Sequence, residues 1–235
     1  MNNFLLNIPN PIVIFTSPDL VSYIVSKRMN FLNNTYIIVR PFEELELYKE
    51  YIDKWDYQYS IDKQQYTGRT KECYVVWNSK LKFIKETIEV NPFNTDKFIW
   101  ADIGCLRTSN ANIISEIANK YPQCDKISNT QIDFVLLDPV VPSQKIFIDE
   151  RHFSGAMFGG SKDKLLELCN HFYKLFDANI KQNIFIGCDQ QTICSVYNEH
   201  RYLFNCISVH HIINDDWKWF YLWLYYSNNN HKVVK

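Results

Sequence analysis

The chain has 235 residues, 46% of them apolar and 16% aromatic, which places it with globular chains of one domain (residues 1–235) and excludes disordered or collagen-like classes. Its formal charge is −1, with basic and acidic residues interleaved, so the basic footprint of a nucleic-acid partner is missing. No apolar run of about 18 residues occurs and residues 1–11 lack a secretory pattern, so a cytoplasmic chain without a transmembrane segment is expected.

In chain order, Ile12 to Phe15 reads as a short strand that runs through Thr16 into a turn. Ser17 can cap there and Pro18 can take the first position of a helix reaching about Leu32. Thr35 to Val39 is the next strand by its β-branched content, and a helix over about 43–55 follows. Tyr74, Trp77, Leu81, Ile84 and Ile88 step by three and four, while Lys82, Lys85, Glu86 and Glu89 face out, the clearest helix in the chain. After Asn91-Pro92-Phe93, Lys97 to Ala101 reads as a buried strand that stops at Asp102-Ile103-Gly104. Further strands are predicted over 134–137, 145–148, 155–158 and 202–209, and Ser161 can cap a helix with Leu165, Leu168, Cys169, Phe172 and Phe176 on one stripe. Helices alternating with short apolar strands predict an α/β fold, a mostly parallel sheet flanked by helices on both faces. Ligands of such sheets bind outside the carboxyl ends of the strands.

Asp102 stands at such an end, and strand alternation puts it on the same face as Trp100. It either caps the turn before Gly104 or faces a ligand. Asp189-Gln190 opens an apolar-patterned helix, where a carboxylate suits the helix dipole. The seven cysteines form no CxxC pair and are expected to be reduced core residues; Cys194, Cys206, His210 and His211 supply only one close-spaced pair for zinc. The aromatic tail, Trp217 to Tyr226, is expected to dock on the core, with a homodimer contact or a membrane surface as alternatives.

Asn91-Pro92-Phe93, the run from Phe98 to Gly104 and the upstream Trp77-Asn78-Ser79-Lys80 resemble the HtrL/YibB-like family of glycosyltransferase candidates. Ser154 to Gly160 and Gly187-Cys188-Asp189-Gln190-Gln191 follow in the order the resemblance requires, over roughly residues 10–205. That family is similar to nucleotide-sugar transferases of GT-A fold, a Rossmann-like arrangement whose Asp-x-Asp holds a divalent metal against the donor diphosphate. The resemblance implies transfer from a nucleoside diphosphate sugar to a glycan, protein or lipid-linked acceptor. It implies Mn²⁺ or Mg²⁺ held by Asp102 and His211, and donor contacts from Thr16, Lys80, Trp100, Asp102, Gly155 and Lys218. Asp189 and Gln190 would act on the sugar. Two departures stand out: Trp100 replaces the first Asp, and eleven residues precede the Ile12 strand, so either that strand opens the fold or the nucleoside pocket is incomplete. The alternatives are a sugar-nucleotide or glycan binding protein that has lost turnover, and a phosphoester hydrolase, for which Asp215-Asp216 is an adjacent acidic pair near a His.

Overall fold

The structure, a computed structural model, describes residues 1–119, 122–140, 152–209, 212 and 215–227. The strand expected over 145–148 lies outside the described residues, as do His210 and His211. After α1 (Asn2–Asn7), the first two expected strands form as β1 (Ile12–Thr16) and β2 (Thr35–Val39), paired in parallel around α2 (Val21–Lys27). α2 stops well short of Leu32, because Phe31 leaves helical geometry (φ −133°) and the chain from Met29 to Asn34 forms 3-10 turns. The single helix expected over 43–55 is likewise interrupted. Leu45 is extended (ψ 129°), so only α3 (Glu46–Glu50) forms before the chain folds back into α4 (Trp55–Ser60), whose Trp55 indole donates to Leu47 O.

The periodic segment forms α5 (Lys71–Val90), closed by Asn91 in left-handed geometry (φ 37°). Then come β3 (Lys97–Ala101), α6 (Ala111–Asn119), β4 (Ile132–Leu136), β5 (Phe153–Ser161), α7 (Lys162–Lys181), α8 (Asp189–Glu199), β6 (Phe204–Ser208), α9 (Asp215–Lys218) and α10 (Tyr221–Ser227). Ser161 precedes α7 as expected, but its hydroxyl donates to Asn129 O and caps nothing.

The four later strands form one sheet in the order β3-β5-β4-β6. β4 and β6 are parallel, as the alternation of strands and helices predicts, whereas β5 runs antiparallel to both its neighbours. Alternating side chains send Phe134 and Phe158 into a core shared with α5, α7 and α8, and Val135 and Met157 into a second core with α1, α6 and α10. Both faces are therefore covered. The Phe134 ring stacks on Phe158 and Phe204 with centroids 4.9 and 5.1 Å apart, and each such ring stabilises the sheet by roughly 1.5–3 kcal/mol through burial. The aromatic tail docks as expected: Phe220, Leu222 and Tyr226 are fully buried in the second core. Among the described residues no helix is long and apolar enough to cross a membrane.

β3 was expected to be buried, yet all five of its residues are half-exposed. The cause is a slot of about 500 Å³ lined by Ile12 and Val13 of β1 and by the whole of β3. The slot separates the two sheets, so β1 and β3 each have a hydrogen-bonded neighbour on one side only.

Candidate functional site

The site is built around Lys80. On α5 it lies three residues after Trp77 and four before Ile84, so helical periodicity turns it toward the sheet with the apolar stripe. Its ammonium reaches Gly155 O (2.8 Å), Asp189 Oδ2 (2.9 Å) and both oxygens of Asp102 (3.1 and 3.2 Å). Side-chain exposure is 5% for Lys80 and 6% for Asp189 but 35% for Asp102, so one carboxylate closes the cluster from within and the other faces out.

Each partner is placed by its own element. Asp102 N donates to Ala156 O (2.8 Å), carrying the β3–β5 ladder one residue further, and Asp102 O accepts from Cys105 N (2.8 Å) to form the turn. The turn is thus closed by backbone, leaving the carboxylate to accept from Trp100 Nε1 (2.7 Å) and from Lys80. Trp100 and Asp102 do share a face, and the Trp100 ring stacks on Phe83 of α5 at 6.2 Å. Asp189 begins α8 behind a capping box in which Cys188 N donates to Gln191 Oε1 (3.0 Å). Gln190 is buried and donates to Phe153 O, tying α8 to β5. Asn78, also buried, donates to Tyr74 O and Gly187 O and holds α5 against the loop before α8.

Gly155 is glycine because of a close approach. A Cβ there would sit 2.6 Å from Asp189 Oδ2 and 3.0 Å from Oδ1. Gly155→Ala should therefore push Asp189 off Lys80 and cost about 1–3 kcal/mol, read by urea unfolding. A change below about 0.5 kcal/mol would show that the cluster tolerates displacement.

Burial alone would pull the Lys80 ammonium down, but the charges of Asp189 and then Asp102 outweigh it and hold it above its ordinary value. Burial pushes the Asp189 carboxyl up against the pull of Lys80, and the Asp102 charge adds to the push. Asp189 Oδ2 has the ion pair with Lys80 but no donor aligned on it as a hydrogen bond. All seven cysteines are free thiols. Burial lifts Cys105 to about 12 and Cys188 to about 11, so neither is a nucleophile at neutral pH.

Five of the residues singled out in the sequence, Lys80, Trp100, Asp102, Gly155 and Asp189, thus meet in one cluster, with Gln190 beside it on α8. Thr16 ends β1, where its carbonyl accepts from Arg40 N, and Lys218 lies in α9. Arg107 is an addition. It follows Asp102 in the same loop, is exposed, donates from Nε to Gly104 O (3.2 Å) and lies 4.4 Å over the Trp219 ring. The only sign of it in the sequence is a cation five residues beyond a strand-end carboxylate.

The HtrL_YibB family model, described as "bacterial protein of unknown function", matches residues 1–226. The chain belongs to the HtrL_YibB family. The match takes in every residue of the cluster and every described strand, so this site is that of an HtrL_YibB protein throughout. Comparison with curated proteins and with solved structures finds no match.

Proposed function

We propose that this HtrL_YibB protein transfers a sugar from a nucleoside diphosphate donor to an acceptor hydroxyl, on a GT-A-like arrangement of its sheets. The observation that carries the reading is the cluster itself: a half-exposed carboxylate at the carboxyl end of β3, backed by a buried ammonium and a second carboxylate. The slot is within the range of small-molecule pockets, and it ends at Trp100 and Ala101, next to Asp102. Its aromatic and amide lining, Phe93, Phe98 and Asn94, suits a flat base with hydrogen-bonding edges.

In this reading Asp102 faces the sugar. The bond from the anomeric carbon to the diphosphate oxygen breaks, the electron pair leaves with the diphosphate, and the acceptor oxygen forms the new bond and gives up its proton to the departing diphosphate. Two carboxylates and one ammonium leave the cluster with one net negative charge, which stabilises positive charge developing at the anomeric carbon. Arg107 and Lys218 are the cations offered to the departing diphosphate. Asp189 and Gln190, both buried, act through Lys80 and β5 and do not touch the sugar.

A divalent metal, which the resemblance implies, does not fit the described residues. Asp102 Oδ1 is taken by Trp100 and Lys80 and Oδ2 by Lys80, and a divalent ion ligated there would crowd an ammonium about 3 Å from both oxygens. His211, the other implied ligand, lies outside the described residues.

The test is incubation with a panel of nucleoside diphosphate sugars in EDTA, with release of nucleoside diphosphate as the readout. Consumption of one donor, lost in Asp102→Asn, is expected. No consumption of any donor at millimolar concentration would refute transfer and favour a binding protein of the same fold.

A further inference from the structure

The atoms around Lys80 Nζ form an unusual shell for a lysine. Gly155 O, Asp189 Oδ2 and the two oxygens of Asp102 surround it at 2.8 to 3.2 Å, all of them hard oxygen donors on three separate elements. Oxygen donors of this kind, two carboxylates and a backbone carbonyl, are those that Mg²⁺, Mn²⁺ and Ca²⁺ select. Among the described residues no group of three or more His, Cys, Asp or Glu side chains could hold a metal. What completes the shell here is the ammonium.

We propose that Lys80 is the resident cation of this site, a covalently attached replacement for a divalent ion, and that its removal uncovers a latent divalent-cation site between Asp102, Asp189 and Gly155 O. The proposal stands whether or not the protein transfers sugars.

Three observations support it. First, a lysine side chain left only 5% exposed must shed water from its ammonium, and oxygens replace that water on each side. Second, Asp189 Oδ2 is buried and faces the Lys80 ammonium at 2.9 Å, so removing the ammonium leaves this oxygen turned toward the centre of the shell. Third, the absence of a side chain at Gly155 lets Asp189 approach this closely, since a Cβ would lie 2.6 Å from its oxygen. A metal held at roughly 2.1 to 2.5 Å from oxygen would draw the shell inward by about 0.3 to 1 Å. The half-exposed Asp102 can follow such a shift, and waters entering past it can fill the remaining positions.

A cation built into the chain removes any dependence of the site on metal supply. It also fixes the charge of the cluster, because the ammonium stays protonated through the physiological range.

The test reads metal binding and stability, not activity. Wild type, Lys80→Ala and Lys80→Ala with Asp189→Asn are melted in EDTA and in millimolar MnCl₂, and bound Mn²⁺ is counted from loss of the free-ion electron paramagnetic resonance signal. Wild type should melt at the same temperature in both and bind no Mn²⁺. Lys80→Ala should melt lower in EDTA, gain about 5 °C or more with MnCl₂ and bind one Mn²⁺ per chain, and the double variant should lose that binding. If Lys80→Ala does not fold in EDTA, refolding in MnCl₂ judged by circular dichroism replaces melting: recovery supports the proposal and failure overturns it. Stoichiometric Mn²⁺ binding by wild type at micromolar concentration would also overturn it, as would a folded Lys80→Ala that takes up none.

Discussion

Replacing Lys80 with methionine is expected to cost about 3–5 kcal/mol of folding stability, the range for breaking a buried ion pair by removing one partner. The stem of methionine fills most of the lysine volume, so the loss comes from charge. Asp189, with its side chain 6% exposed, would be left beside Asp102 with no cation between them. Most of the loss should return in Lys80→Met with Asp189→Asn, because that pair of changes removes both buried charges. Urea unfolding of the four proteins of the cycle measures this coupling. Additive single effects would mean that Lys80 and Asp189 do not stabilise one another.

The same residue sets a pH signature. The folded-state value of Lys80 lies above its ordinary 10.5, because Asp189 and Asp102 outweigh the burial that alone would lower it. Its charge therefore contributes stability that is fully present below 10.5 and is lost as pH rises through the higher folded value. Wild type should lose stability over that alkaline range more steeply than Lys80→Met, with the difference between the two curves isolating the one group from the many tyrosines.

Asp102→Asn is expected to lower transfer about a hundredfold, close to 3 kcal/mol of transition-state stabilisation, while the protein stays folded. The amide oxygen can still accept from Trp100 Nε1, and the turn depends on the Asp102 backbone, which is unchanged. What is lost is the outward-facing negative charge. Because that charge acts on positive charge developing during bond breaking, kcat should fall far more than donor affinity. Equal losses in kcat and KM-derived affinity would instead make Asp102 a ground-state contact. Asp189→Asn should behave differently: buried beneath Lys80, it should lower stability and activity together.

Much of this arrangement is legible in the sequence because local patterns carry it. β-Branched and aromatic runs mark β1, β2, β3 and β4, and three-to-four spacing marks α5 and α7. Asp102 is recognisable because a carboxylate directly after an apolar strand is conspicuous in any α/β chain. Strand direction is not encoded locally: the alternation of Phe158 and Met157 would read the same in either sense, so the antiparallel course of β5 emerges only from pairing. The exposure of β3 is hidden for the same reason, since Phe98, Ile99 and Trp100 look like a buried strand whether or not β1 closes on them. Lys80 is the instructive case. Its position in the inward stripe of α5 is readable from Trp77 and Ile84, but the sequence offers it only as a donor contact implied by the resemblance, and the distant Asp102, Gly155 and Asp189 explain why it is inside.

The central claim, that the cluster and the slot beside it receive a nucleoside diphosphate sugar, is tested most directly by calorimetric titration of the protein with a panel of such donors in EDTA. One donor should bind with one site per chain, and filling the slot's apolar lining by an Ala101→Trp change should weaken that binding about tenfold or more without unfolding the chain. No heat from any donor at millimolar concentration, or binding indifferent to Ala101→Trp, would contradict the assignment.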